Sequence, residues 1–152
     1  PVLSVRSMAE TVEYTERQIH YAKRFQAFKF EGTNNLDAVS HSTCAMAIDV
    51  GAKCIVVNSL SGKTARMVSR FRCPVDIIGM TTSQKAWPKL NLSWGVKPVL
   101  CEEYSSMEDM FYQAVKCAKN IFDLKKGDHV VLTGGLINGQ TGNTNVIKVE
   151  TI

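Results

Sequence analysis

Between Cys54 and Thr133 the sequence alternates strand-length apolar runs with helical stretches, and this alternation constrains the fold more than any other feature. Strands are expected at Cys54–Asn58, Val75–Met80, Val96–Leu100 and His129–Thr133, with helices between them at Lys63–Phe71, near Gln84–Leu90 and at Met107–Phe122. Parallel strands joined by right-handed crossovers need such intervening helices, so the pattern implies an α/β domain with a mainly parallel sheet. A glycine-rich connection then leads to a last strand, Val146–Thr151. That connection is too short for a crossover, which makes the last strand antiparallel and places it at an edge. Pro88 is expected to interrupt or bend the short helix that contains it.

Ahead of the alternation lie further helical stretches. From about Ser7 the spacing of Met8, Val12, Thr15, Ile19 and Ala22 makes one apolar stripe, with Ser7 and Glu10 as a capping box. A polar turn at Glu31-Gly32-Thr33-Asn34 separates it from a helix expected at Asn35–Val50, capped by Asn34 and stopped by Gly51. The long helix Met107–Phe122 has a clean apolar face, and Ser106 with Asp109, or Ser105 with Glu108, can cap its start.

A length of 152 residues with 45% hydrophobic content suits one compact domain with an ordinary core. The net charge of +4 is spread along the chain rather than gathered on one stretch, which argues against a nucleic-acid footprint. Five cysteines, an odd number without a C-x-x-C pair, read as reduced core thiols rather than a disulfide framework or a zinc site. No apolar run is long enough for a signal peptide or a membrane span, so a soluble, cytoplasmic protein is expected.

Two loops carry candidate chemistry. Ser61-Gly62-Lys63-Thr64 matches the end of a P-loop in the right strand-turn-helix setting, yet Val57 stands where that motif needs its first glycine. The turn therefore fits a smaller site, in which Ser59, Ser61, Gly62, Lys63 and Thr64 hold one phosphoryl group at a helix N-terminus, or an ordinary turn whose serine caps the helix. The second loop, from Gly134 to Thr144, holds four glycines with amides and hydroxyls between them at the carboxyl end of a strand, where open α/β sheets bind ligands. It reads as a polar flap or as a long hairpin connection. His41 and Cys44 lie one helical turn apart without an orienting carboxylate and read as a packed helix surface. Trp94, just before a strand, reads as a core aromatic. No D-x-D, H-E-x-x-H or EF-hand spacing occurs, and no metal site is expected.

The stretches Asn35-Leu36-Asp37-Ala38-Val39-Ser40-His41-Ser42-Thr43, Ser59 to Ala65, Leu90 to Pro98, Lys125-Lys126-Gly127-Asp128 and Gly139 to Asn145 occur in the order, and at about the spacings, of the carboxy-terminal domain of pyruvate kinase. The chain resembles that domain over essentially its whole length. The resemblance implies a three-layer fold with a five-stranded mixed sheet, four strands parallel and the last antiparallel at the edge, flanked by helices. It also implies that residues 1–16 are the end of the catalytic barrel domain and that residues 17–152 are the effector-binding domain. Phosphoryl transfer from phosphoenolpyruvate to ADP, a glycolytic step, with its Mg²⁺ and K⁺, would belong to the barrel, so no catalysis and no cofactor are expected of this chain alone. The implied partners are a phosphorylated effector, other copies in a homo-oligomer and the rest of a pyruvate kinase chain, with no nucleic acid and no membrane. By the same resemblance, Ser59, Ser61, Gly62, Lys63 and Thr64 would bind the effector phosphate, and Gly139, Gln140, Thr141, Gly142, Asn143 and Thr144 would form the closing loop. Relatives that bind fructose 1,6-bisphosphate often hold the second phosphate with an arginine early in the long helix, near a tryptophan, and Met107 to Gln113 contains neither. The implied effector is thus a sugar or nucleotide monophosphate at least as readily as a bisphosphate. A domain that serves only in assembly, through its edge strand, is the alternative.

Overall fold

The computed structural model describes residues 1–135 and 144–152. Among the described residues six helices and five strands follow in the order α1 (Val2–Glu16), α2 (Tyr21–Ala27), α3 (Asn35–Asp49), β1 (Cys54–Asn58), α4 (Lys63–Ser69), β2 (Asp76–Thr81), α5 (Ala86–Leu90), β3 (Val96–Leu100), α6 (Met107–Ile121), β4 (His129–Gly135) and β5 (Thr144–Thr151). The strands form one sheet in the order β3-β2-β1-β4-β5. All neighbours are parallel except β4 and β5, which run antiparallel from His129 opposite Thr151 to Gly135 opposite Thr144. The expected α/β fold with an antiparallel edge strand is therefore the fold observed.

Strand order dictates where the helices lie. From β1 to β2 to β3 the chain moves one way across the sheet, and α4 and α5 pack on one face with α3. The chain then crosses back over β2 and β1 to add β4, and a right-handed crossover in the reverse direction must lie on the opposite face. That crossover is α6. Alternation along the strands supplies both cores: Ile55, Val57, Ile77 and Val131 meet Cys44, Ala47, Ala65, Val68 and Leu90 on one side. Cys54, Val56, Ile78, Met80, Val130 and Leu132 meet Met110, Phe111, Ala114 and Ala118 of α6 on the other.

Capping follows the sequence at the two long helices of the domain. The Asn34 side chain accepts from the Asp37 N–H at 2.9 Å to start α3, and Gly51 adopts φ +61° beyond its end. The Ser106 hydroxyl accepts from the Asp109 N–H at 3.1 Å to start α6.

Four local expectations fail. The N-terminal stripe is two helices, because after Glu16 the chain closes tight turns, Gln18 N–H to the Thr15 carbonyl and Ile19 N–H to the Glu16 carbonyl. Ser7 and Glu10 lie inside α1 rather than at its start, so they form no capping box. Pro88 does not interrupt α5, since it is the third helical residue, where the N–H that proline lacks would have no intrahelical partner. Trp94 is half-buried rather than a core aromatic: its ring lies 4.9 Å from that of Tyr21, its Nε1–H donates to Glu16 at 2.7 Å, and the Arg72 guanidinium sits 5.2 Å above it. It thus ties the α1–α2 junction to the domain.

Candidate functional site

The strand order reverses between β1 and β4, and in open α/β sheets this switch point leaves a crevice outside the carboxyl ends of the strands. The loop after β1 and the segment after β4 both start there. Three neighbouring strands end in polar side chains at this edge, Asn58 on β1, Thr81 on β2 and Thr133 within β4, although the strands are otherwise largely apolar.

Backbone and hydroxyl bonds fix the loop after β1. The Ser59 N–H still pairs with the Met80 carbonyl at 3.0 Å, and the Thr81 hydroxyl donates to the Leu60 carbonyl at 2.8 Å. Gly62 then turns the chain at φ +71°, a left-handed conformation, and its Cα lies where a Cβ would come 3.0 Å from Leu90 Cδ2. Both constraints require glycine. The turn aims the start of α4 at the crevice, with the Thr64 N–H 3.4 Å from Ser59 Oγ and the Arg66 N–H bonded to the Gly62 carbonyl.

Thr64 is buried, and its Oγ1 lies 2.6 Å from Oγ1 of Thr144, the first residue of β5. Eighty positions apart in sequence, the two hydroxyls join the two expected site segments. One hydrogen is used between them, so the other hydroxyl hydrogen can be given to a third acceptor. Such a pair suits a phosphoryl oxygen, which only accepts.

Lys63 is exposed and lines a cleft of about 480 Å³ with Asn34, Asn35, Leu36 and Met67. Ser61 is exposed on the loop and Ser59 half-buried at its base. The first turn of α4 carries no acidic residue, which leaves the partial positive charge of its N-terminus and the Lys63 ammonium uncompensated there. Gly139, Gln140, Thr141, Gly142 and Asn143 lie outside the described residues, so of the second segment the structure places Thr144 alone.

The remaining candidates are structural. His41 is stacked between Phe30, at 4.1 Å, and Phe25, at 4.9 Å, and burial holds its imidazole below the ordinary range. Cys44 is fully buried, and Cys73 together with burial pushes its thiol well above the usual value. Burial likewise pushes the Cys54 thiol up to about 12. Neither thiol is poised as a nucleophile. Among the described residues no three His, Cys, Asp or Glu side chains come together as metal ligands, and no helix is long and apolar enough to cross a membrane.

Sequence reasoning missed two features. Asp37, buried at the start of α3, accepts from the Thr33 hydroxyl and from Arg70 Nη2 at 2.9 Å, which pins α4 to α3. Asn58 ends β1 with both carboxamide atoms buried and without a hydrogen-bond partner among the described residues. The only sequence signal for the latter was a polar residue closing an apolar strand.

Comparison with known proteins bears on the family of the fold. Residues 37–150 match the family model described as the pyruvate kinase alpha/beta domain. The chain is 34% identical over 155 residues to a pyruvate kinase of Lactobacillus delbrueckii subsp. bulgaricus, covering 100% of this chain and 26% of that protein. It is 33% identical over 153 residues to a pyruvate kinase of Clostridium acetobutylicum, again over 100% of this chain and 32% of the relative. A protein named pyruvate kinase 2 from Synechocystis sp. is 33% identical over 152 residues, covering 100% of this chain and 25% of its own length. The chain thus spans between a quarter and a third of the length of these relatives.

Proposed function

Because this chain belongs to the family of pyruvate kinase alpha/beta domains, we propose that it is the regulatory part of a pyruvate kinase and that it binds a phosphorylated effector without transforming it. The observation that carries the reading is the Thr64–Thr144 hydroxyl pair at the switch point, which joins the turn that opens α4 to the first residue of β5. The effector phosphate is held by Ser59, Ser61, Gly62, Lys63 and Thr64, and the segment Gly139 to Thr144 closes over it. The effector is a sugar or nucleotide monophosphate. Phosphoryl transfer and the metal ions it needs belong to the remainder of the full-length enzyme.

Residues 1–16 belong, on this reading, with the catalytic part. In support, α1 has no buried residue, and Val2, Leu3, Val5, Met8, Val12 and Tyr14 are all exposed. The open edge of β5 supports assembly into a homo-oligomer. In an oligomer, effector binding would bias one arrangement over another, a coupling of typically about 1–3 kcal/mol.

Calorimetric titration tests the site. Lys63→Ala and Thr64→Val should each weaken binding of ribose 5-phosphate by about tenfold or more, the usual cost of losing one charged or buried hydrogen-bond partner. Unchanged affinity in both folded variants would remove the assignment. A further expectation is that the chain alone shows no transfer of phosphate between phosphoenolpyruvate and ADP.

A further inference from the structure

Asn58 carries a carboxamide that is buried without a hydrogen-bond partner among the described residues. It is the last residue of β1, and by strand alternation its side chain stands on the α6 face, with Cys54 and Val56. Its Cβ would lie 3.4 Å from a Cβ built on Gly134, whose other near neighbours are the Sδ and Cε atoms of Met110. Neither Oδ1 nor Nδ2 has a hydrogen-bond partner among the described residues, although both atoms are buried. An unpaired buried amide costs stability, so a residue of this kind at the carboxyl end of the sheet needs a reason.

Its position supplies one. The phosphate turn opens α4 on one face of the sheet, whereas Asn58 lies on the opposite face beneath α6, and the switch point lies between them. A ligand body that runs from Thr64 across the switch point would approach the buried carboxamide of Asn58. A carboxamide offers N–H donors and a carbonyl acceptor side by side. A second phosphate, which at neutral pH only accepts, would satisfy Nδ2 and leave Oδ1 unpaired. A hydroxyl or a vicinal diol satisfies both. The first turn of α6 adds Glu108 and Asp109 on this side, with no basic residue between Ser106 and Gln113 to favour a second anion.

We infer that Asn58 is the specificity-determining residue of the effector site, and that it selects a neutral, hydroxyl-bearing body attached to the single phosphate over a second phosphoryl group. The inference rests on the phosphate reading of the Ser59 to Thr64 turn. Asn58 acts on the choice of ligand and not on the phosphate itself.

Titration calorimetry on the 152-residue chain with inorganic phosphate, ribose 5-phosphate and fructose 1,6-bisphosphate separates the two claims. For the unaltered chain the expected order is ribose 5-phosphate tightest, by about tenfold over inorganic phosphate, as one well-paired buried amide can supply. In Asn58→Leu and in the smaller Asn58→Ala, inorganic phosphate should bind as before, within about twofold, while the ribose 5-phosphate advantage should disappear. A purely structural residue would not change that ratio. Retention of the original ratio in either folded variant would overturn the role of Asn58 and leave the phosphate turn standing. Failure of the unaltered chain to bind any of the three probes would overturn both.

Discussion

At the scale of single residues, the site depends on positions with no tolerance. Gly62 combines φ +71° with a 3.0 Å approach to Leu90, so any side chain adds backbone strain to a clash with a fully buried leucine. Gly62→Ala should lower stability by about 1–3 kcal/mol, read as a fall of several degrees in Tm for a domain of this size. Asp37 gives a pH signature. The Thr33 hydroxyl and then Arg70 hold its carboxyl below the ordinary value of 3.8, with burial opposing them. A depressed carboxyl stabilises the fold while ionised, so its contribution is complete above the unfolded value and is lost as pH falls through 3.8 toward the folded value. Asp37→Asn should therefore flatten the acid limb of a stability-against-pH curve below about pH 4 and leave the slope near neutrality unchanged. The sequence concealed both residues in part: Gly62 was visible as a turn glycine, while its contact with Leu90 depends on α5 being folded over it. Thr33, Asp37 and Arg70 meet only once α3 and α4 are packed side by side.

At the scale of elements, what was legible depended on how locally an element is determined. β1, β3 and the N-termini of α3, α4 and α6 fall where apolar period, glycines and capping residues place them, because those signals lie within the segment itself. Ser106 is such a signal, and Ser106→Ala should cost about 1 kcal/mol of stability through loss of the α6 cap. The N-terminal segment was misread because a continuous apolar stripe says nothing about a break fixed by distant residues. Glu16 is bonded to Trp94, 78 positions away, and the chain turns there to bring Tyr21 against the same ring. Trp94→Phe retains most of the packing and loses the bond to Glu16. Limited trypsin digestion at the exposed Arg17 should then proceed faster than in the unaltered chain, with Tm nearly unchanged. Equal cleavage rates would mean that the Trp94–Glu16 bond does not restrain the α1–α2 junction.

At the scale of the whole molecule, topology positions the candidate site. The apolar pattern showed the strands, but not that the fourth inserts beside the first. That reversal moves α6 to the opposite face and brings Thr64 and Thr144 together. The Ser-Gly-Lys-Thr turn was ambiguous as sequence; the switch point sets it beside Thr144 at the start of β5. The same view separates α1 from the folded unit, since none of its residues is buried. A chain shortened to residues 17–152 should keep a cooperative unfolding transition, with Tm within a few degrees of the longer chain, because it loses little beyond the Glu16 contacts with Trp94 and Tyr21.

Whether the turn opening α4 holds a phosphoryl group is decided by a crystal of the chain soaked with ribose 5-phosphate. The phosphoryl group is expected at the N-terminus of α4, with one oxygen about 3 Å from the Thr64–Thr144 hydroxyl pair and the sugar extending toward Asn58. Density for the ligand elsewhere on the surface, with that turn unliganded at saturating concentration, would contradict it.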